Sequence, residues 1–259
     1  MFINIHSADF SVDYGVSDRS RLTLTLPFSG GTHSRLYADG MRHKVGASGF
    51  GDVTVIANRW MRRNVELGIG IKSATGRNDV TSHYFLAGGQ TRFFVDQSIQ
   101  LGDGGWGVIV QGRAFHEVFH NSYAYASGSY LISPRNQTGV VQGQSGPYSR
   151  VRVSVPDVYN ARAGLSYVAS NVVLSLGGRV DGIPMRDLIG RSDGFRRPAT
   201  IGYVEPALSV TRGRGTYSIS APVRVYADFR RSNVDRQLGL SGGGDLARSL
   251  FFASYQHRF

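Results

Sequence analysis

Seven histidines in a serine-rich chain invite a search for a nucleophile and its base, and one tripeptide fits. His120-Asn121-Ser122 has the spacing at which a period of two puts imidazole and hydroxyl on one strand face, as a lipid hydrolase would need. Glu117 is the nearest acid in sequence, and nothing marks it as an orienting third member. A chance match is the simpler reading, so no catalytic residue is assigned. His116 and His120 flank a predicted tight turn, but no third ligand has a matching spacing, and no metal site follows. Gly242-Gly243-Gly244-Asp245 and Gly102-Asp103-Gly104-Gly105 are glycine-rich, yet neither opens a helix, so neither cradles a phosphate. Both read as loop hinges, and no cofactor is called for.

A second chemistry emerges from alternation. Val65-Glu66-Leu67-Gly68-Ile69-Gly70-Ile71-Lys72 places apolar residues on one face and charge or glycine on the other. Arg21-Leu22-Thr23-Leu24-Thr25-Leu26 repeats the pattern. Val172, Leu174, Leu176 and Val180 stand opposite Arg179 and Asp181. Tyr217, Ile219, Val223, Val225 and Phe229 stand opposite Ser218, Ser220, Arg224, Tyr226 and Asp228. Collected across the chain, the charged face holds Arg21, Glu66, Lys72, Arg113, Arg162, Arg179, Asp181, Glu205, Arg224, Asp228 and Arg258. Basic residues outnumber acidic ones there. Charges enclosed in a narrow lumen must pair or meet water, so they form either a ladder of Arg–carboxylate props or an anion-favouring constriction. Gly68, Gly70, Gly107, Gly164 and Gly177 on the same face either leave a path or let neighbouring arginines lie flat.

Composition limits the classes that could carry such faces. The chain has 259 residues, 41% hydrophobic and 18% charged, which excludes disorder. It has 34 Gly, 13 Tyr and 14 Phe, a bias toward strands and tight turns. With no cysteine there is no disulfide framework or thiolate metal site. No apolar run approaches the roughly 18–20 residues of a membrane helix, so a membrane protein of this sequence must be a barrel. The net charge of +11 comes almost wholly from arginine, with only Lys44 and Lys72 as lysines. The arginines are scattered rather than clustered, which argues against a nucleic-acid partner.

Strands are expected at 7–15, 20–29, 50–60, 64–74, 105–117, 121–133, 158–168, 172–181, 200–211, 215–229 and 247–259. Most are longer than the five or six residues typical of soluble strands. Short links near Ser17-Asp18, Met61-Arg62-Arg63, Glu117-Val118-Phe119, Ser170-Asn171 and Gly213 alternate with long ones at 30–49, 75–104, 134–157, 182–199 and 230–246. Short turns on one side and long loops on the other mark an outer-membrane barrel, whereas a sandwich has no reason to alternate so. The final strand places Phe251, Tyr255 and the terminal Phe259 on one face, and its end resembles the assembly signal of bacterial outer-membrane proteins. Trp60, Trp106, Tyr159, Tyr167, Tyr217 and Phe229 fall near strand ends, where an interfacial girdle explains them. Arg191, Arg196 and Arg197 fall in an outer loop, to be solvated or to meet anionic lipopolysaccharide.

Eleven strands is an odd number, and single-chain bacterial barrels are even. The expectation is a parent of about twelve strands, with its first strand and signal peptide absent from residues 1–259. A strand hidden in 82–98 would instead break the short–long alternation.

Tyr14-Gly15-Val16-Ser17-Asp18-Arg19, Gly49-Phe50-Gly51-Asp52-Val53-Thr54-Val55, Leu67 to Gly76, and Gln100-Leu101-Gly102-Asp103-Gly104-Gly105-Trp106 together resemble the outer-membrane transporters of the phenol-degradation meta-pathway family. The likeness runs in order over roughly 14–259. Ala74 stands where that family usually has proline, and the front strand is missing. The resemblance implies movement of small hydrophobic or aromatic compounds across an outer membrane. The expected architecture is thus all-β, a single antiparallel up-and-down transmembrane barrel. Its expected function is an uncoupled channel with an arginine-lined lumen. Its expected partners are outer-membrane lipid and lipopolysaccharide, the barrel-assembly machinery at the last strand, and a small solute. The alternatives are a structural or adhesive barrel closed by salt bridges and, third, a lipid hydrolase using His120 and Ser122.

Overall fold

The computed structural model describes residues 2–37, 39–86, 88–143, 146–242 and 247–259. The first strands are β1 (Phe2–Ser17), β2 (Ser20–Leu36), β3 (Arg42–Phe50), β4 (Thr54–Arg62) and β5 (Val65–Lys72). There follow β6 (Thr81–Leu86), β7 (Gly89–Phe94), β8 (Gly107–Phe119), β9 (Ser122–Ile132), β10 (Gln137–Val141) and β11 (Arg152–Ser154). The chain then forms β12 (Val158–Ala169), β13 (Val172–Ile183), β14 (Ala199–Arg212), β15 (Gly215–Ser220) and β16 (Val223–Phe229). A short helix α1 (Asn233–Gln237) and β17 (Phe252–His257) complete it.

One antiparallel sheet runs β1-β2-β4-β5-β8-β9-β12-β13-β14-β15-β17, eleven strands in sequence order. β3 and β16 extend it at one end by pairing with the far halves of β2 and β14. Five of its connections are two-residue hairpins, closed by the pairs Ser17↔Ser20, Arg62↔Val65, Phe119↔Ser122, Ala169↔Val172 and Arg212↔Gly215. Asn121 (φ 58°), Ser170 (φ 55°) and Gly213 (φ 58°) take the left-handed backbone that two-residue hairpins require.

The long connections gather at the opposite end as a cap. It holds the hairpin β6–β7, the pair β10–β11, α1 and the segment 184–198. The hairpin lies inside 82–98 but forms a sheet of its own, so the main alternation survives. Segment 30–49, expected as a loop, is instead mostly strand: β2 continues to Leu36 and returns as β3. The chain breaks at Gly51-Asp52-Val53 before β4, and at Ala221-Pro222 between β15 and β16, so the single strand expected at 215–229 is two. Proline lacks the N–H that the ladder would need there.

The two faces of the sheet differ sharply. On β5, Leu67, Ile69 and Ile71 are 51%, 61% and 50% exposed, while Glu66 and Lys72 on either side of them are buried. Phe10, Val12, Tyr14, Leu22, Leu24, Val110, Leu165, Leu174, Leu176, Tyr217 and Ile219 are likewise exposed on the outer face. The buried apolar residues sit instead at the cap end. Tyr37, Val45 and Tyr84 form one cluster, Ala199, Ile201 and Tyr203 another. The sheet curls enough that Ile5 of β1 and Phe229 of β16 line the same cavity under the cap.

Candidate functional site

Register decides which charged residues share a face. A single row crosses the sheet as Glu66↔Arg113↔Ser127↔Arg162↔Arg179↔Tyr203↔Arg224, from β5 to β16. Four arginines therefore stand on one row of the inner face. The row on the cap side contains Asn58, Gly68, Gln111, Ser129, Asn160 and Asp181, with Arg21 opposite Asn58. The row on the hairpin side contains Phe115, Tyr125, Gly164, Gly177 and Glu205.

The carboxylates on this face are consumed by arginine. Glu66 accepts from Arg21 at 3.0 Å and from Arg113 at 2.7 Å. Glu205 faces Arg162 at 3.5 Å and accepts from the Ser220 hydroxyl at 2.9 Å. Arg179 donates to Asp181 at 2.7 Å. The Glu66 and Glu205 side chains are 4% and 6% exposed, against 46% for Arg113 and 40% for Arg162. The open wall thus presents guanidinium, with carboxylate behind it. Arg113 also lies 5.0 Å over the Trp60 ring, and Arg179 lies 4.9 Å over Phe252.

Two cavities follow this wall. One of about 320 Å³ is lined by Arg21, Asn58, Glu66, Gln111, Arg113 and Arg162. The next, about 450 Å³, is lined by Tyr125, Arg162, Glu205 and a group of serines. Both touch Ser127 and Arg162, so they meet at the arginine row. Hydroxyl pairs Ser166–Ser175 and Ser209–Ser218, each at 2.7 Å, keep the hairpin half polar. The inner glycines do not leave a clear path. At Gly68 a Cβ would meet Asn58 Oδ1 at 2.3 Å, and at Gly177 it would meet the Tyr125 hydroxyl at 2.4 Å. Asn58 and Tyr125 occupy the room, where flattened arginines had been one expectation.

Several expected positions are corrected. Asp228 pairs with Thr200 and so faces outward, where it binds Arg230 at 2.7 Å. The irregularity between Gly202 and Tyr203 leaves an extra residue on β16, which inverts the alternation beyond Arg224. The same inversion turns Phe229 inward, and Trp60 also faces inward beside Glu66, so neither belongs to an outer girdle. Lys72 is on the inner face but offers no free charge. Its ammonium donates to Asp52 (3.1 Å), Asp103 (2.6 Å) and the Gly105 carbonyl (2.6 Å), pinning two loops to β5.

Arg196 and Arg197 are not solvated loop arginines. Arg196 is buried in a two-pronged pair with Asp187 at 2.6 and 2.5 Å, and Arg197 meets Asp96 at 3.2 Å. Only Arg191 of that trio is strongly exposed. His120 occupies a hairpin with Asn121 at positive φ, so strand alternation does not align it with Ser122. No hydrogen bond joins His120 and Ser122 among the described residues. Phe251, Tyr255 and Phe259 are exposed, and Tyr255 pairs with Tyr217 on the outer face. Arg258 lies just past β17 and donates its amide to the Arg214 carbonyl. Gly243, Gly244 and Asp245 of the second glycine-rich stretch lie outside the described residues.

A further cavity, about 820 Å³, lies under the cap. His33, Arg35, Asp96 and Arg197 line it together with Phe93, Phe94, Val140, Val153 and Phe229. Sequence reading missed His33 and Arg35 because they fall in the stretch taken as a loop. It missed Asp52 and Asp103 because they sit in glycine-rich breaks. The alternation His33, Arg35 continuing Arg21, Thr23 and Thr25 was the available signal.

In the cap, burial pushes the Asp187 carboxyl up, but its bonds from Arg196 and the Asp157 amide outweigh this and hold it below the usual range. Burial and Arg197 oppose each other likewise at Asp96, which also ends low. Burial and then the bond to Asp235 push the Tyr148 phenol up to about 12.

No protein-family model matches the chain, and no curated protein matches it. Among solved structures, a Pseudomonas aeruginosa FadL homologue aligns with a TM-score of 0.43 at 12% identity. The alignment covers 86% of this chain and 60% of that one.

Proposed function

We propose that this chain forms an outer-membrane β-barrel wall through which small molecules diffuse without energy coupling, past a constriction lined by Arg113, Arg162, Arg179 and Arg224. The observation that carries the reading is the contrast between faces. Outward residues are large, apolar and open, a band that water would not tolerate on a monomer and lipid would cover. Inward residues are arginines on one register row, bordering two cavities that meet there. A cationic ring in a narrow passage favours anions and polarisable aromatic solutes. The resemblance to transporters of small hydrophobic or aromatic compounds is consistent with the aromatic side chains beside the arginines, Trp60 and Phe252.

The ion pairs of Glu66 and Glu205 favour a second reading, a barrel propped shut by salt bridges with a structural role. Solute uptake by proteoliposomes distinguishes the two. The transport reading expects small anions and a neutral aromatic to enter faster than small cations. Absence of uptake for every solute, from protein with an intact β spectrum, favours the closed structural barrel.

A further inference from the structure

The cap cavity holds polar capacity that the protein does not use. His33 is 4% exposed and lines the cavity, and neither of its ring nitrogens has a hydrogen-bond partner. A buried polar side chain without a partner is rare and calls for one. Arg35 stands two residues along the same face of β2 and lines the same cavity. Its guanidinium lies 4.7 Å over Tyr37 and 5.5 Å over Tyr84, and it has no ion pair among the described residues. Asp96 is matched by Arg197, while Asp52 and Asp103 share the single Lys72 ammonium. Of the cations lining the cavity, Arg35 is the one without an ion pair among the described residues. Phe93, Phe94, Val140 and Phe229 give the same lining an apolar, aromatic part.

We infer that the cavity under the cap binds an aromatic carboxylate, its head on His33 and Arg35 and its ring against the phenylalanine wall. A carboxylate offers two oxygens, so one group can accept from an imidazole N–H and a guanidinium together. A volume of about 820 Å³ lies within the range of small-molecule sites. The inference deepens the transport reading and rests on it for the ligand's route, while binding is measured separately.

The test titrates purified protein in detergent with 2-naphthoate and with naphthalene. Naphthoate is expected to bind about tenfold more tightly, as a charge-assisted head contact implies. His33→Leu and Arg35→Gln should each weaken naphthoate binding by about tenfold and leave naphthalene binding unchanged. Arg35 is only half-buried, so its variant reports even if the His33 substitution perturbs folding. Equal affinity for the two probes, no binding of naphthoate, or unchanged affinity in a folded Arg35→Gln protein would overturn the inference. Naphthoate binding without any solute uptake would keep this site and remove the transport reading. Uptake of small anions without naphthoate binding would do the reverse.

Discussion

Glu66 shows how the inner wall combines acid and base. Its carboxylate is buried, yet both arginines that hold it reach open space. Glu66→Gln should therefore cost less than the roughly 3–5 kcal/mol of breaking a fully buried pair. It should also free two guanidiniums and raise anion over cation permeability, read from ion selectivity in a bilayer. Arg196 presents the opposite case, because both it and Asp187 are 1% exposed. Arg196→Ala leaves the buried Asp187 carboxylate without its cation, held only by the Asp157 amide and the Ser192 hydroxyl, and should destabilise the cap by about 3–5 kcal/mol, seen as protease cleavage within 184–198. The acid response of the cap follows from the same groups. Asp187 and Asp96 both titrate below the ordinary value of 3.8, so the stability they contribute is complete above that pH. It is lost as pH falls through their lowered values. Amide protection factors in the cap, which correct for the intrinsic pH dependence of exchange, should hardly change between neutrality and about pH 4, then fall below it; protection already lost at pH 5 would contradict this.

At the scale of elements, alternation made the sheet legible. All eleven main strands lie near the segments expected from period-two patterning, and all five short turns exist, although the one expected at Glu117-Val118-Phe119 lies later, at His120-Asn121, because β8 continues to Phe119. Regularity is also where the reading failed. One extra residue on β16 reversed Asp228 and Phe229, because a single step flips every later side chain. The extension of β2 into 30–36 was hidden by Gly30-Gly31, which resemble a loop but here pair with Ser48 and Ala47 of β3. Burial of Arg196 was illegible, since its partner Asp187 is chosen by loop packing and not by periodicity. The Lys72 peg belongs to this scale too. Asp52 takes both Lys72 and the Gly76 amide (2.8 Å), tying the β3–β4 break to the exit of β5. Lys72→Gln should speed amide exchange at Gly76 and Asp103 several-fold while leaving the β12–β13 amides unchanged.

For the whole molecule, the inversion of polarity is the organising fact. Among the described residues, apolar burial is concentrated toward the cap end, and the sheet turns a band of large apolar residues outward. Such a sheet is stable where lipid takes the place of a core. β1 and β17 are its edges, and no pairing joins them among the described residues. In lipid those edges must find hydrogen-bond partners, so they are the part of the sheet most sensitive to its surroundings. Around the inside, the arginine row runs from β8 to β16, and the proposed transport route would take every solute past it. The reversal potential of the reconstituted protein across a salt gradient tests that claim most directly, comparing wild type with the double variant Arg113→Gln, Arg179→Gln. The account predicts an anion-selective potential that moves toward the cation side in the variant. A potential that does not move, in a variant that still conducts and folds, would contradict it.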